Sequence, residues 1–479
     1  MVMVSARQTL GQVARLHRRA EPGLVALLAG VAALDLATWL ANVQLAPGQI
    51  GSALALGLAV SRLSAYIVAF ALVGLALLRE PPTWLRRAAP IVFWPLLVWA
   101  IWTAAQGLLV ILREWPVTLL DPLRYGSDAV FDAHYNAWLV LHGLNPYAGQ
   151  WLTSVTNYFH VIALTPIARG IFADPRVMPT AHQLHLLYNQ FARDPSHPPV
   201  EIDPRTTHSY PAGSFLLLIP AVWAGLPSVA PMYVIALAAI WVALVGAAPA
   251  NWRWLALLGP LLMVNGLRQV GGGGDFEILA LALVLGAWLA RERRWTSALL
   301  LGLALTVKQT AWFVAPFYLL WVWRACGWRE ALRSGGIAGA TFALVNLPWI
   351  ILSPREWLAS MALPMSLPLL PDGIGVIGLS QIGGLPFAPS WAYSLAELVA
   401  IGALLALVWR LWSRAPFLAV ALPLAPLLLA WRSPDRYFAL LPLTVIAAFL
   451  LTRQVLRGQS DETPTPAAER GGQRGHIAR

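Results

Sequence analysis

Lysine is all but absent from this chain. Lys308 is the only one, although lysine and arginine together number 33 of 479 residues. Cysteine also occurs once, at Cys326, which excludes an intrachain disulfide and any metal site built from several thiolates. Charged residues are scarce: 11%, against 58% hydrophobic residues and a mean hydropathy of +0.64. A soluble domain carries about 25% charge, so this composition excludes an ordinary soluble core. A cleaved signal peptide is not expected either. Arg7, Arg15, Arg18 and Arg19 precede an apolar stretch, Leu24 to Leu45, that is long enough to span and lacks a convincing cleavage site.

Long apolar runs are what the chain has in abundance. Segments 23–43, 54–78, 89–112, 213–229, 232–249, 254–267, 277–290, 296–307, 309–323, 335–352, 391–412, 415–431 and 437–452 are candidate spans. The expectation is an all-α polytopic integral membrane protein with about eleven to thirteen transmembrane helices. The net charge of +11 does not call for nucleic acid, because the arginines cluster in short loops beside apolar runs. Those clusters (Arg15/18/19, Arg79/86/87, Arg291/293/294, Arg324/329/333, Arg410/414, Arg453/457) should be cytoplasmic. The expected plan is a cytoplasmic basic N-terminus (1–22), membrane helices over 23–112, and an extracytoplasmic loop over 113–212. A membrane core (213–452) with outer loops 353–390 and 432–436 follows, then a disordered cytoplasmic tail (453–479). One inconsistency remains: four segments lie between 212 and 291 where an odd number of crossings is needed. Pro220, Pro227, Pro231 and Pro260 favour a re-entrant or half-length segment there, which leaves Lys308 at the outer tip of two short helices. Asp35 and Arg62 each lie about 12 Å from the outer end of their spans, so the two are expected to pair.

Lys308 sits within SALLLGLALTVKQTAWFVAPFYLLW. An ammonium at membrane depth costs at least a few kcal/mol, so it reads as functional, with an anionic partner. As a compact point charge it suits a phosphate. The competing reading is a snorkelling or loop lysine.

The outer segment opens RYGSDAVFDAHYNAWLVLHGLNPYAG, from Arg124 to Gly149. Asp128 and Asp132 are four apart and share a helix face, with Tyr135 next along it. Such a pair raises one carboxylate toward use as a base, although solvated capping carboxylates look the same in sequence. Gly143 to Tyr147 reads as a helix stop and turn. Seven of nine histidines fall between 134 and 208: His134, His142, His160, His182, His185, His197 and His208. With Asp174, Asp194, Glu201 and Asp203 they could assemble a metal site, yet no spacing matches a zinc signature. A divalent cation (Mg or Mn) on a phosphate-linked substrate is compatible with the sequence. VGGGGDFEILAL places Asp275 and Glu277 after four glycines, without the GK[ST] of a P-loop. The RSPDRY turn adds Arg432, Asp435 and Arg436.

Taken together, YGSDAVFDAHYNAWLVLHGLNPY, SYPAGSFLLLIP, GGGGDFEILALALVLGAWLARERR and the Lys308 run resemble polytopic bacterial glycosyltransferases of the GT-C superfamily. The likeness is to mannosyltransferase-like families using polyprenyl-phosphate sugars, and it covers roughly residues 110 to 450. The resemblance implies an acidic base in the first large extracytoplasmic loop, Asp128 with Asp132 second, and a lipid phosphate held by Lys308 with Arg432 or Arg436. Substrate-facing candidates are His134, Tyr135, Asn145, Tyr147, Tyr210, Asp275 and Gln309. In the family the acidic loop follows the first helix, whereas here two extra spans (23–43 and 54–78) precede it, and the loop lacks an acidic doublet. The resemblance thus implies inverting transfer of a hexose, mannose foremost, to a lipid or glycan acceptor at the inner membrane's outer face. A lipid-linked sugar flippase and a non-catalytic scaffold are the competing classes; no internal repeat supports the first.

Overall fold

The computed structural model describes residues 21–461, apart from 44–51, 149–151, 160–165, 175, 177–179, 195, 203–207, 275, 367–368 and 383. Helices of eight residues or more run in chain order. The first seven are α1 (Pro22–Ala41), α2 (Ala53–Ala76), α3 (Thr83–Leu109), α4 (Asp128–Leu141), α5 (Leu152–Phe159), α6 (Ala181–Arg193) and α7 (Ala230–Ala247). Next come α8 (Val264–Gly271), α9 (Glu277–Leu289), α10 (Arg294–Leu305) and α11 (Val314–Cys326). The last four are α12 (Trp328–Leu352), α13 (Pro354–Ser366), α14 (Ser390–Arg410) and α15 (Leu441–Asp461). The sheet among the described residues is minimal: β1 (Asp372–Gly373) pairs in parallel with β2 (Arg432–Ser433).

The protein is an all-α polytopic membrane protein. Among the described residues, seven helices are long and apolar enough to cross a bilayer, and α9 and α10 are shorter apolar helices. The sequence offers thirteen candidates, and proline accounts for much of the difference. Residues 213–229 break into Gly213–Leu216 and Ile219–Trp223 around Pro220. Pro260 lies in a 3-10 turn (Gly259–Leu262) between Arg253–Leu258 and α8, and Pro423 and Pro426 divide 415–431 in the same way. Each proline removes an amide donor and clashes with the preceding turn.

α15 is the central helix. Of its hydrophobic window, 78% is buried, against 11% for α12 and α14, which present most of their surface outward. α1 packs along α2 and also touches α15, while α10 and α11 both lie on α12. The helix of α15 continues to Asp461, so residues 453–461 are helical where a disordered tail is expected; 462–479 lie outside the described residues. The expected Asp35–Arg62 pair does not form. Arg62 Nη2 donates to the Gly373 carbonyl at 3.1 Å, near the charges of Asp372 and Asp435, while Asp35 meets Trp99.

Candidate active site

Both ends of α4 are fixed by local chemistry. Ser127 caps the helix, its Oγ accepting from the Ala129 amide at 3.2 Å. Asp128 occupies the first turn, where a carboxylate complements the helix dipole. Its Oδ1 accepts from the same amide at 2.9 Å and from the Ser127 hydroxyl at 3.3 Å. At the far end Gly143 takes φ 71°, and the Gly143 and Leu144 amides return to the Val140 and Leu139 carbonyls. That is the left-handed stop expected of glycine. Asn145 then shapes the turn: its Oδ1 accepts from the Tyr147 amide at 3.0 Å, and its Nδ2 donates to Ser353 Oγ at 2.8 Å.

His134 faces inward. It is buried, with Nδ1 2.9 Å from the Tyr125 hydroxyl, which itself accepts from the Val229 amide at 2.7 Å. Burial lowers the imidazole to about 4 and pushes the Tyr125 phenol up to about 12. Tyr135 is half-buried and stacks on Trp138, with Tyr158 tilted against both. The other described histidines disperse. His142 reaches the Trp138 carbonyl, His197 pairs with Asp194 at the surface, and His182 and His185 are exposed on α6. Among the described residues, no three His, Cys, Asp or Glu side chains gather as a cation site.

His208 is the functional candidate that the sequence alone does not single out. Fully buried, it places Nδ1 2.5 Å from Asp132 Oδ2 and Nε2 2.6 Å from Ser214 Oγ. It opens a segment, HSYPAGS, whose groups are fastened from several sides. The Ser209 carbonyl accepts from Gln309 Nε2 at 2.5 Å, and the Tyr210 carbonyl from the Tyr147 hydroxyl at 2.8 Å. The Pro211 carbonyl accepts from the Ser214 hydroxyl at 2.7 Å, and the Ala212 amide donates to Asn346 Oδ1 at 3.0 Å. Tyr147 is fully buried. Desolvation raises its phenol well above the ordinary range, and the Asp132 charge acts in the same direction. Tyr147, Tyr210 and Gln309 therefore meet here, although the sequence separates them widely.

Lys308 lies at the break after α10 in an extended backbone, ahead of the Gln309–Phe313 turn. Its side chain turns into the protein. Nζ is 3.1 Å from Glu277 Oε1, with the two side chains 2% and 9% exposed. The rings of Tyr437, Phe276 and Tyr210 surround the ammonium at 4.9, 5.3 and 5.9 Å, a favourable cation–π setting. Glu277 starts α9, again where a carboxylate suits a helix N-terminus. Just before it, the glycine run packs on the entrance to α4. The Gly126 amide donates to the Gly273 carbonyl at 3.3 Å, and a Cβ on Gly126 would come within 3.1 Å of the Gly274 Cα. Within the run, Gly273 takes φ 60°, and a Cβ on Gly271 or Gly273 would strike the ring of Trp115 or Tyr125. Asp275 lies outside the described residues.

An apolar cleft of about 540 Å³, its open mouth included, runs from Glu277, Thr310 and Tyr437 past Leu281 and Leu441 to Val284. Arg432 and Arg436 belong to the RSPDRY turn, whose Tyr437 lines the cleft. Arg432 Nη1 donates to the Leu370 carbonyl at 2.5 Å and is thereby committed to the β1–β2 corner. Arg436 is half-buried, next to Tyr437. The structure thus gathers Asp132, Tyr147, Tyr210, Gln309 and Lys308 into one connected set, with Asp128 at the adjoining end of α4. His134 stays inside the core, and Asn145 in its turn.

The comparisons add one finding. Residues 208–451 match the family model described as glycosyltransferase family 87. No curated protein matches the chain, and no solved structure does.

Proposed function

From the premise that the chain belongs to glycosyltransferase family 87, and so is a membrane glycosyltransferase, we propose a specific transfer. The enzyme moves a hexose, mannose foremost, from a polyprenyl-phosphate donor to a hydroxyl of a lipid or glycan acceptor. It works at the extracytoplasmic face of a bacterial inner membrane and inverts the anomeric centre. One observation carries this reading: the lone lysine and the α4 carboxylates, far apart in sequence, are joined through residues 208–210. His208 meets Asp132 and Tyr210 lies over Lys308.

In the transfer, the acceptor oxygen forms a bond to C1 of the sugar as the bond from C1 to the phosphate oxygen breaks. Asp128 takes the acceptor proton. Charge builds on the departing polyprenyl phosphate, and Lys308 with Arg436 stabilises it in a site poor in water. Glu277 holds the ammonium in place between turnovers. The apolar cleft leading away from Glu277 and Tyr437 suits the first isoprene units of the donor. Approach opposite the leaving group gives inversion.

A single-turnover assay in proteoliposomes tests the reading, with radiolabelled polyprenyl-phosphate mannose as donor. Label should move to an acceptor in step with donor loss. Donor translocation without cleavage would make the protein a flippase, and no effect on the donor would leave a scaffold.

A further inference from the structure

We infer that Asp132, His208 and Ser214 form an acceptor-hydroxyl subsite, in which Asp132 binds the acceptor and His208 is a positioning residue acting through it. The inference rests on the glycosyl-transfer reading above and names a part of the acceptor side of that site.

The geometry sets His208 apart from the other described histidines. It has no exposed surface, and both ring nitrogens are engaged at short distances, Nδ1 by Asp132 Oδ2 at 2.5 Å and Nε2 by Ser214 Oγ at 2.6 Å. Ser214 is equally buried and is braced by donation to the Pro211 carbonyl at 2.7 Å. An ionised carboxylate only accepts, so Nδ1 carries the hydrogen in its contact with Asp132. The result is an asymmetric carboxylate. It is locked from behind by a rigid donor, yet its side chain remains 21% exposed. Here one partner is inside and the other reaches the surface of the site.

Asp132 also lies one helical turn from Asp128 on the same face of α4, with Tyr135 three residues further on. A fixed carboxylate at this spacing accepts from a hydroxyl neighbouring the one that Asp128 deprotonates. The class of ligand is therefore a vicinal diol, as on a hexoside ring. Holding that second hydroxyl aligns the nucleophilic one, and the cost of ordering the carboxylate is met in the fold rather than on binding.

Two substitutions of His208 separate this role from simple packing. The amide nitrogen of asparagine overlays Nδ1 of histidine, and that of glutamine overlays Nε2. His208→Asn keeps a donor to Asp132, and His208→Gln keeps only the side facing Ser214. The measurement is calorimetric affinity of the full chain in nanodiscs for octyl α-mannoside, with turnover assayed in parallel. His208→Gln and Asp132→Asn should each weaken binding about tenfold, as expected for loss of a hydrogen bond to a charged group. His208→Asn should stay within about threefold of wild type, and the double variant Asp132→Asn/His208→Gln should be no worse than Asp132→Asn alone. Equal losses in His208→Asn and His208→Gln, additive losses in the double variant, or no binding by wild type would overturn the subsite. The predicted affinity pattern without transfer from the lipid donor would uphold the subsite and overturn the donor reading instead.

Discussion

Glu277 Oε1 stands 3.1 Å from Lys308 Nζ, in a pair almost wholly withdrawn from solvent. The two residues come from different helical segments, and each neutralises a charge that neither water nor lipid can serve there. Lys308 therefore has a structural duty besides any role toward substrate, and the two duties can be separated. Lys308→Ala should destabilise the protein by about 3–5 kcal/mol, because it strands a buried carboxylate. Lys308→Met combined with Glu277→Gln should recover most of that loss while donor binding stays abolished. Thermal unfolding and binding of polyprenyl-phosphate mannose, measured on the same preparations, check both parts. Donor affinity equal to wild type in the double variant would remove Lys308 from the phosphate site.

The two α4 carboxylates should fail differently. Asp128→Asn should lower turnover by about 10²–10⁴-fold with donor affinity nearly intact, since a general base acts in the transition state. Asp132→Asn should act mainly on the Michaelis constant for acceptor. Steady-state kinetics with each substrate varied in turn decides. The reverse pattern would exchange the two roles, and full activity in both variants would take α4 out of the chemistry.

Acid should weaken the packing around α4 through His134. Burial lowers this imidazole to about 4, below its unfolded value near 6.5, so the neutral form belongs to the folded state. The stability it contributes is complete above about pH 6.5 and is lost as pH falls toward 4. Between pH 7 and pH 5 the loss should reach about 2 kcal/mol. Melting curves over that range should be flatter for His134→Leu than for wild type. Identical slopes would show that His134 titrates normally.

Orientation can be read with single cysteines in a Cys326→Ala background. Ser433 is buried and would report nothing, whereas Ser196 and Ser413 are exposed. Ser196→Cys should react with an impermeant thiol reagent in intact cells, and Ser413→Cys only after lysis. The opposite result would place the α4 carboxylates on the cytoplasmic side.

Composition and hydropathy made the fold class legible, because a bilayer demands apolar length and internally satisfied backbone. Helix lengths were less legible: an apolar run containing Pro260 or Pro423 has the composition of a span but breaks into short turns. Lys308 was conspicuous by being alone. Its partner was not identifiable, because Glu277 appears in sequence only as the end of a glycine-rich string. His208 was hidden among seven histidines that together suggested a metal. Its pairing with Asp132 spans 76 residues, and no local periodicity records such a contact. The Asp35–Arg62 expectation failed for a related reason: equal depth in two helices does not set their rotation about their own axes.

The fastening of residues 208–214 carries a further consequence. Carbonyls at Ser209, Tyr210 and Pro211 and the amide of Ala212 are all engaged, and Gly213 leaves no room for a Cβ against the Thr306 carbonyl, 2.7 Å away. Such a segment cannot act as a hinge, since moving it would break several buried hydrogen bonds at once. The wall between the α4 carboxylates and Lys308 is therefore stationary. Under the proposed transfer, the donor's chain would then reach Lys308 along the apolar cleft lined by α9 and α15, not by displacement of this segment.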